Sequence, residues 1–196
     1  MTTLIFFGTL ITILVLFIRL IAKLFQHKSI ISSIKALGII ILSYTLLWFF
    51  FYLINSFKTV PLGTDICFDD WCATITRFEK RDTLETFNPR GQFLILYIRM
   101  SNHARGIAQK PSEPRIHIID DKGHYFSYSE EGQQALEKLE GKQIPIDMRL
   151  ELHQSLETQL VFNVPAGSKY YKAIIEEGPI ITKLLFNDNK EVFLLQ

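Results

Sequence analysis

Gln92-Phe-Leu-Ile-Leu-Tyr-Ile-Arg-Met100 is apolar at nearly every position. Taken with the two-residue period of a strand, Phe93, Ile95 and Tyr97 fall on one face and Leu94, Leu96 and Ile98 on the other. A strand with water on one side shows one polar face. This one shows none, so it is expected at the centre of a sandwich, covered on both faces.

Strand signals recur on either side of it. Trp71 to Phe78 alternates Ala73, Ile75 and Arg77 against Thr74, Thr76 and Phe78. Arg115 to Ile119 and His124 to Ser127 flank Asp120-Asp-Lys-Gly123, a turn-rich hairpin connection. Leu156, Thr158, Leu160, Phe162 and Val164 form a period-two stripe opposite Glu157, Gln159 and Asn163, stopped by Pro165. Tyr171 to Glu176, Ile180 to Phe186 and Glu191 to Leu195 continue the pattern. One helix is expected among the strands. Ser129 caps Glu130 to Glu140, Ala135, Leu136 and Leu139 share a side, and Gly141 is the stop. The whole predicts an all-β antiparallel sandwich with one short helix over residues 65–196, a small barrel being the competing closure.

The chain before this domain has a different composition. Apolar runs cover roughly 3–22 and 36–57, and a helix of roughly 20 apolar residues crosses a hydrocarbon core about 30 Å thick. The second run holds no charged side chain and ends in the aromatic cluster Trp48-Phe-Phe-Phe-Tyr52, suited to the headgroup level. The first includes Arg19, whose side chain reaches the interface by snorkelling. A buried soluble helix is the competing account of the first run. A cleaved signal peptide fits less well, because Met1-Thr-Thr3 lacks the positive start of such segments. A transmembrane hairpin over 1–57 is therefore expected. Its connector, 23–35, and the flanking Arg19 hold Arg19, Lys23, Lys28 and Lys35 without an acid, which places the connector in the cytoplasm by the positive-inside tendency. Both termini and the C-terminal domain then lie outside, at a bacterial inner membrane, with residues 58–64 a linker broken by Pro61 and Gly63.

All twenty acids follow Lys58, and seventeen Lys and Arg, Lys58 included, accompany them, so the domain carries a net charge of −3. That evenly mixed surface offers no footprint for nucleic acid. Cys67 and Cys72 are the only cysteines. Outside the cytoplasm a close pair is most simply a disulfide; a redox pair, a metal site or free thiols are the alternatives, and two thiols alone lack the further ligands of a closed zinc site. His103, His117, His124 and His153 show no metal spacing, although His117 and His124 could oppose each other across the hairpin. Asp69-Asp70 and Asp120-Asp121 lack calcium-loop spacing. No nucleophile elbow or phosphate loop occurs, and Ser101 and His103 are too close in sequence to suggest a triad. No catalytic residue, metal or cofactor is assigned.

Four segments together resemble a known group: Cys67-Phe-Asp-Asp-Trp-Cys72, Gly91-Gln-Phe-Leu-Ile-Leu-Tyr-Ile-Arg-Met-Ser-Asn102, Asp120-Asp-Lys-Gly-His-Tyr125 and Leu160-Val-Phe-Asn-Val-Pro165. They are similar to bacterial telokin-like, immunoglobulin-related extracytoplasmic domains, over roughly residues 65–186. The resemblance implies an immunoglobulin-like sandwich and transfers no catalytic residue. The loop after the central strand, with Asn102, His103, Arg105, Gln109 and Lys110, is the candidate binding surface, because a rigid scaffold presents it; an ordinary solvated connection is the plainer account. The expected function is a membrane-anchored, non-catalytic binding or assembly module. The alternative is an accessory subunit whose hairpin packs on a larger membrane protein, for which Gly8 and Thr12 form a small-xxx-small pair; an unrecognised enzyme comes third. Expected partners are the lipid bilayer and an envelope or membrane protein.

Overall fold

The computed structural model describes residues 2–26, 29–54, 57–84, 91–178 and 191–196, and every statement below concerns those residues. They fall into two compact units, a helical one before residue 57 and a β-rich one from Phe57 onward.

In the first unit, α1 spans Thr2–Phe25 and α2 spans Ile31–Ile54. Phe7–Phe25 and Ile31–Phe50 are each long and apolar enough to cross a membrane. Several of their polar side chains find partners within the hairpin. Thr12 and Thr45 donate their hydroxyls to the Gly8 and Ile41 carbonyls at 2.8 and 2.9 Å, and Lys23 Nζ donates to Ser32 and Ser33 Oγ. Such closure suits a solvent that offers no hydrogen bonds. Helix α2 starts ahead of the apolar run, at Ile31, where Ser33 and Ile34 N–H both donate to the Ile30 carbonyl at 3.0 Å.

The second unit is a two-sheet sandwich. Its elements are β1 (Lys58–Val60), β2 (Ile66–Phe68), β3 (Trp71–Arg81), β4 (Gln92–Asn102), β5 (Arg115–Asp120), β6 (Tyr125–Phe126), α3 (Glu130–Glu140), β7 (Ser155–Val164), β8 (Tyr171–Glu176) and β9 (Glu191–Leu195). One sheet runs β1-β9-β8-β5-β6 and the other β2-β3-β4-β7. The pairing is antiparallel except between β1 and β9. The stretch expected to be a linker thus begins as an edge strand: Lys58 pairs with Glu191 in register and by an ion pair of 2.8 Å. No local pattern in three residues announces a partner that distant in sequence. The expected strand Ile180 to Phe186 lies outside the described residues.

Strand β4 has the two covered faces its composition demands, with different covers. Leu94, Leu96, Ile98 and Met100 join Ile75, Ile118, Phe162, Ala173 and Phe193 in the core between the sheets. Phe93, Ile95 and Tyr97 pack with Val161, Leu84, Ala135 and Leu136, so α3 lies on the outer face. Gly132 permits that approach: a Cβ there would stand 2.7 Å from Val161 Cγ1 and 3.1 Å from Phe93 Cε1. Ser129 caps the helix by accepting from Gly132 N–H at 3.1 Å, and Gly141 ends it at φ 90°. Leu139, expected on the apolar side, is exposed. The buried row runs Gly132–Leu136, four residues apart, and Glu140 continues it towards Arg81, leaving Leu139 on the flank.

Strand β3 also departs from simple alternation. Ile75 pairs with Ile98 but Arg77 pairs with Tyr97, so Thr76 is bulged and donates to the Tyr97 carbonyl at 3.2 Å. The inward phase moves by one residue across it. Trp71, Ala73 and Ile75 face the core before the bulge and Phe78 packs on it afterwards, while Arg77, Glu79 and Arg81 face the α3 side.

Candidate functional site

Strand β4 delivers Asn102 to the end of the sandwich where β3 begins, Trp71 being its register partner. The Asn102 side chain is buried and bonded at both its nitrogen and its oxygen. Its amide donates to the carbonyls of Ile107, Leu150 and Glu151 at 3.0, 3.1 and 3.2 Å, and its oxygen accepts from Ala104 N–H at 2.9 Å. Asn102 therefore joins the loop after β4 to the loop between α3 and β7. Gln109 and Leu150 repeat the link through two backbone hydrogen bonds of 2.9 and 2.8 Å. The loop is braced on its other side by the β2–β3 hairpin, where Asp70 O accepts from His103 N–H at 2.8 Å and Asp70 Oδ2 lies 3.5 Å from Gln109 Nε2. Cys67 and Cys72 are register partners joined as a disulfide, closing that hairpin.

The same end of the sandwich carries the first residues of the unit. Arg115 pairs with Glu176, Gly178 N–H donates to Ser112 O at 2.7 Å, and Lys58 pairs with Glu191, the first residue of β9. The opposite end carries Gln92, whose side chain donates to Tyr171 OH at 2.8 Å, and the Asp120–Gly123 turn.

With Asn102 and Gln109 spent on bracing, the outward groups of the candidate loop are His103, Arg105 and Lys110, all exposed. Lys110 stands 3.4 Å from Asp147 in a solvent-facing pair of little energetic weight. Ile107 is 63% exposed, and on the neighbouring loop Met148 and Leu152 are 45% and 43% exposed. Sequence pattern alone passed over Met148 and Leu152. A signal was there to read: Ile144, Ile146, Met148, Leu150 and Leu152 are apolar at alternate positions between α3 and β7, and Leu150 is buried among them.

One cluster resembles hydrolytic chemistry in composition. Ser101 Oγ is 3.0 Å from His103 Nε2, and Asp65 Oδ2 is 3.9 Å from the same nitrogen. A working triad needs the serine on one ring nitrogen and the acid on the other, so that the acid sets the tautomer. Here both meet Nε2, and Asp65 also engages Arg99 at 3.3 Å. The arrangement is a surface polar cluster in which Asp65 does not engage Nδ1 to orient the His103 ring as a triad acid would.

The remaining titratable groups are tied to structure. Asp120 accepts from Lys122 N–H, His124 N–H and His124 Nδ1 at 2.9, 2.8 and 2.9 Å. Burial alone would push its carboxyl up, and the hydrogen bonds from His124 and Lys122 outweigh that, leaving it below the ordinary value. The register sets His124 beside Asp120 rather than opposite His117, which pairs with Ile174. Among the described residues no three His, Cys, Asp or Glu side chains converge as a metal site. Beside α3, Glu79 binds Arg81 at 2.9 Å and Tyr97 OH at 3.0 Å, Arg81 reaches Glu140 at 2.9 Å, and Arg77 lies 3.5 Å over the Tyr97 ring. The Arg81 hydrogen bond holds the Glu79 carboxyl below its ordinary value against the opposing effect of burial, with Tyr97 adding to it.

No protein-family model matches the chain, and no curated protein matches it. Solved structures of similar fold include the yjhA protein from Bacillus subtilis, at 13% identity and TM-score 0.46 over 69% of this chain and 98% of that one. MPT63, a secreted protein from Mycobacterium tuberculosis, aligns at 10% identity and TM-score 0.47 over 72% and 98%. An uncharacterized β-sandwich protein from Clostridium difficile aligns at 14% identity and TM-score 0.46 over 72% and 96%. The β-sandwich itself rests on the pairing and core described above.

Proposed function

We propose that the chain is a membrane-anchored, non-catalytic binding or assembly module of the bacterial envelope, held by α1 and α2 with its telokin-like, immunoglobulin-like sandwich outside the cytoplasm. The supporting observation is the braced loop end. A buried asparagine bonds through both its amide nitrogen and its oxygen to fix two loops, and a disulfide hairpin backs them, so His103, Arg105 and Lys110 are carried on a rigid base. Prearranged loops lose less entropy on binding. The mismatched Ser101–His103–Asp65 geometry favours binding over catalysis.

The test is cross-linking and co-purification of the full chain from its native membrane in mild detergent. Partners captured by the unaltered chain should persist when α1 and α2 are replaced by an unrelated hairpin, and should be lost in Arg105→Glu/Lys110→Glu. Partners lost on helix replacement but kept in the loop variant would instead establish an accessory subunit that docks through its hairpin.

A further inference from the structure

Two cations of the helical hairpin stand four residues apart on α1. Arg19 and Lys23 share a helix face by that spacing, and like charges so placed repel. Both belong to the apolar span Phe7–Phe25, at the end that meets the connector. A charge at the edge of hydrocarbon is costly until a partner neutralises it. The sequence holds no Asp or Glu before Asp65, and among the described residues neither cation is paired with an acid.

What the fold supplies to Lys23 is neutral. Its Nζ donates to Ser33 Oγ at 2.9 Å and stands 3.3 Å from Ser32 Oγ, both on α2. Ser33 is 8% exposed, so the two helices hold the ammonium in a fixed place without cancelling its charge. We infer that Arg19 and Lys23 together seat the phosphate of an anionic phospholipid at the connector end of the hairpin. This deepens the proposed function and rests on its membrane anchoring.

The chemistry of the pair selects that occupant. A guanidinium meets a phosphate through paired N–H donors and an ammonium meets it as a point charge, so the two side chains complement each other on one group. Both have stems long enough to bring their charge to headgroup level from within the span. A zwitterionic headgroup would add an ammonium of its own to two cations that already repel, whereas an anionic one relieves the repulsion. An acidic side chain of a neighbouring membrane protein offers the same charge. The lipid is favoured because both helices of a single chain build the seat, and phosphate lies at that level of any phospholipid bilayer. Basic pockets between membrane helices on the cytoplasmic side hold such headgroups.

Native mass spectrometry of the full chain in mild detergent tests this, with phosphatidylglycerol or phosphatidylcholine added in steps. The unaltered chain should bind phosphatidylglycerol several-fold more tightly. Lys23→Gln and Arg19→Gln should each remove most of that preference, and Lys23→Arg should keep it. Lys35→Gln removes the same charge from another side of α2, two residues beyond Ser33, and should leave the preference unchanged. Equal affinity for the two lipids, or an equal loss in Lys35→Gln, would overturn the seat. Release of bound phosphatidylglycerol by inorganic phosphate alone would also overturn it, as a site indifferent to lipid. A partner protein lost in Arg19→Gln or Lys23→Gln while lipid binding stays unchanged would assign the pair to a protein carboxylate instead. Alkaline carbonate extraction of the unaltered chain from its native membrane keeps the two readings apart. A chain that washes off overturns the anchoring and this inference together, and one that stays leaves the lipid comparison to decide the inference alone.

Discussion

At the scale of single residues, Trp71 and the cysteine beside it divide the β2–β3 hairpin between packing and covalent restraint. Trp71 is buried in the core, 5.9 Å from the ring of its register partner Phe68, while its chain neighbour Cys72 closes on Cys67. A six-residue closed loop gives about 2 kcal/mol by chain entropy, whereas removing a fully buried large aromatic costs about 3–5 kcal/mol. Trp71→Ala should therefore lower the melting temperature more than Cys67→Ser/Cys72→Ser, and calorimetry of both variants decides the order; the reverse order would remove Trp71 from the core. These residues were legible in the sequence because their relations are local, two cysteines five apart and an aromatic opening a strand. Asn102 was legible only in part. Its position at the end of an apolar strand marked it as part of a loop worth attention, but its partners Leu150 and Glu151 are nearly fifty residues away, so its bracing role belongs to the folded chain.

At the scale of elements, α3 settles both the outer face of β4 and the free edge of β7. A ten-residue edge strand would offer a row of unpaired backbone groups. Gln133 takes the place of a neighbouring strand, donating to the Gln159 carbonyl at 2.9 Å and accepting from Val161 N–H at 3.1 Å. Ser129 N–H adds a bond to the Val161 carbonyl at 2.8 Å. Gln133→Ala should leave those buried groups without partners, at a cost of about 1–3 kcal/mol, and reopen the edge. Thermal melting and sedimentation should show a lower midpoint and a tendency to self-associate; an unchanged midpoint would deny Gln133 this role. The Glu79–Arg81–Glu140 cluster docks the other end of the helix and makes its stability pH-dependent. A carboxylate whose native pKa lies below the unfolded one contributes fully above the unfolded value, about 4.3, and loses that contribution as pH falls through the native value. Lowering the pH from 7 to below 4 should therefore depress the melting temperature of the native chain more than that of Glu79→Gln. Equal pH dependence in both would exclude Glu79 as a contributor. The helix itself was legible from its Ser129 cap and Gly141 stop. Its docking surface was not, because Gly132 looks unfavourable for a helix and Gln133 looks like a solvent-facing polar residue until Val161 and β7 lie against them.

At the scale of the whole molecule, charge and composition predict an orientation that reporter fusions can check. An enzyme active only outside the cytoplasm should be active when fused after Gln196 and silent when fused near Lys28, and the opposite pattern would reverse the topology. Adding several lysines before Leu4 should scramble it. Two apolar helices, period-two strands and a capped helix are properties of contiguous residues, and the chain declares them without help. The described strands and helices accordingly fall close to where the patterns begin and end, with Thr76 shifting the phase of β3 by a bulge that no alternation could foretell. Pairing across long separations is different in kind. The parallel seating of Lys58–Val60 on Glu191–Phe193, the choice of α3 as the second cover of β4, and the gathering of three loops around Asn102 each depend on which distant segments meet. Periodicity records that a face must be buried; only tertiary structure decides by what, because burial is satisfied equally well by any apolar surface until geometry selects one.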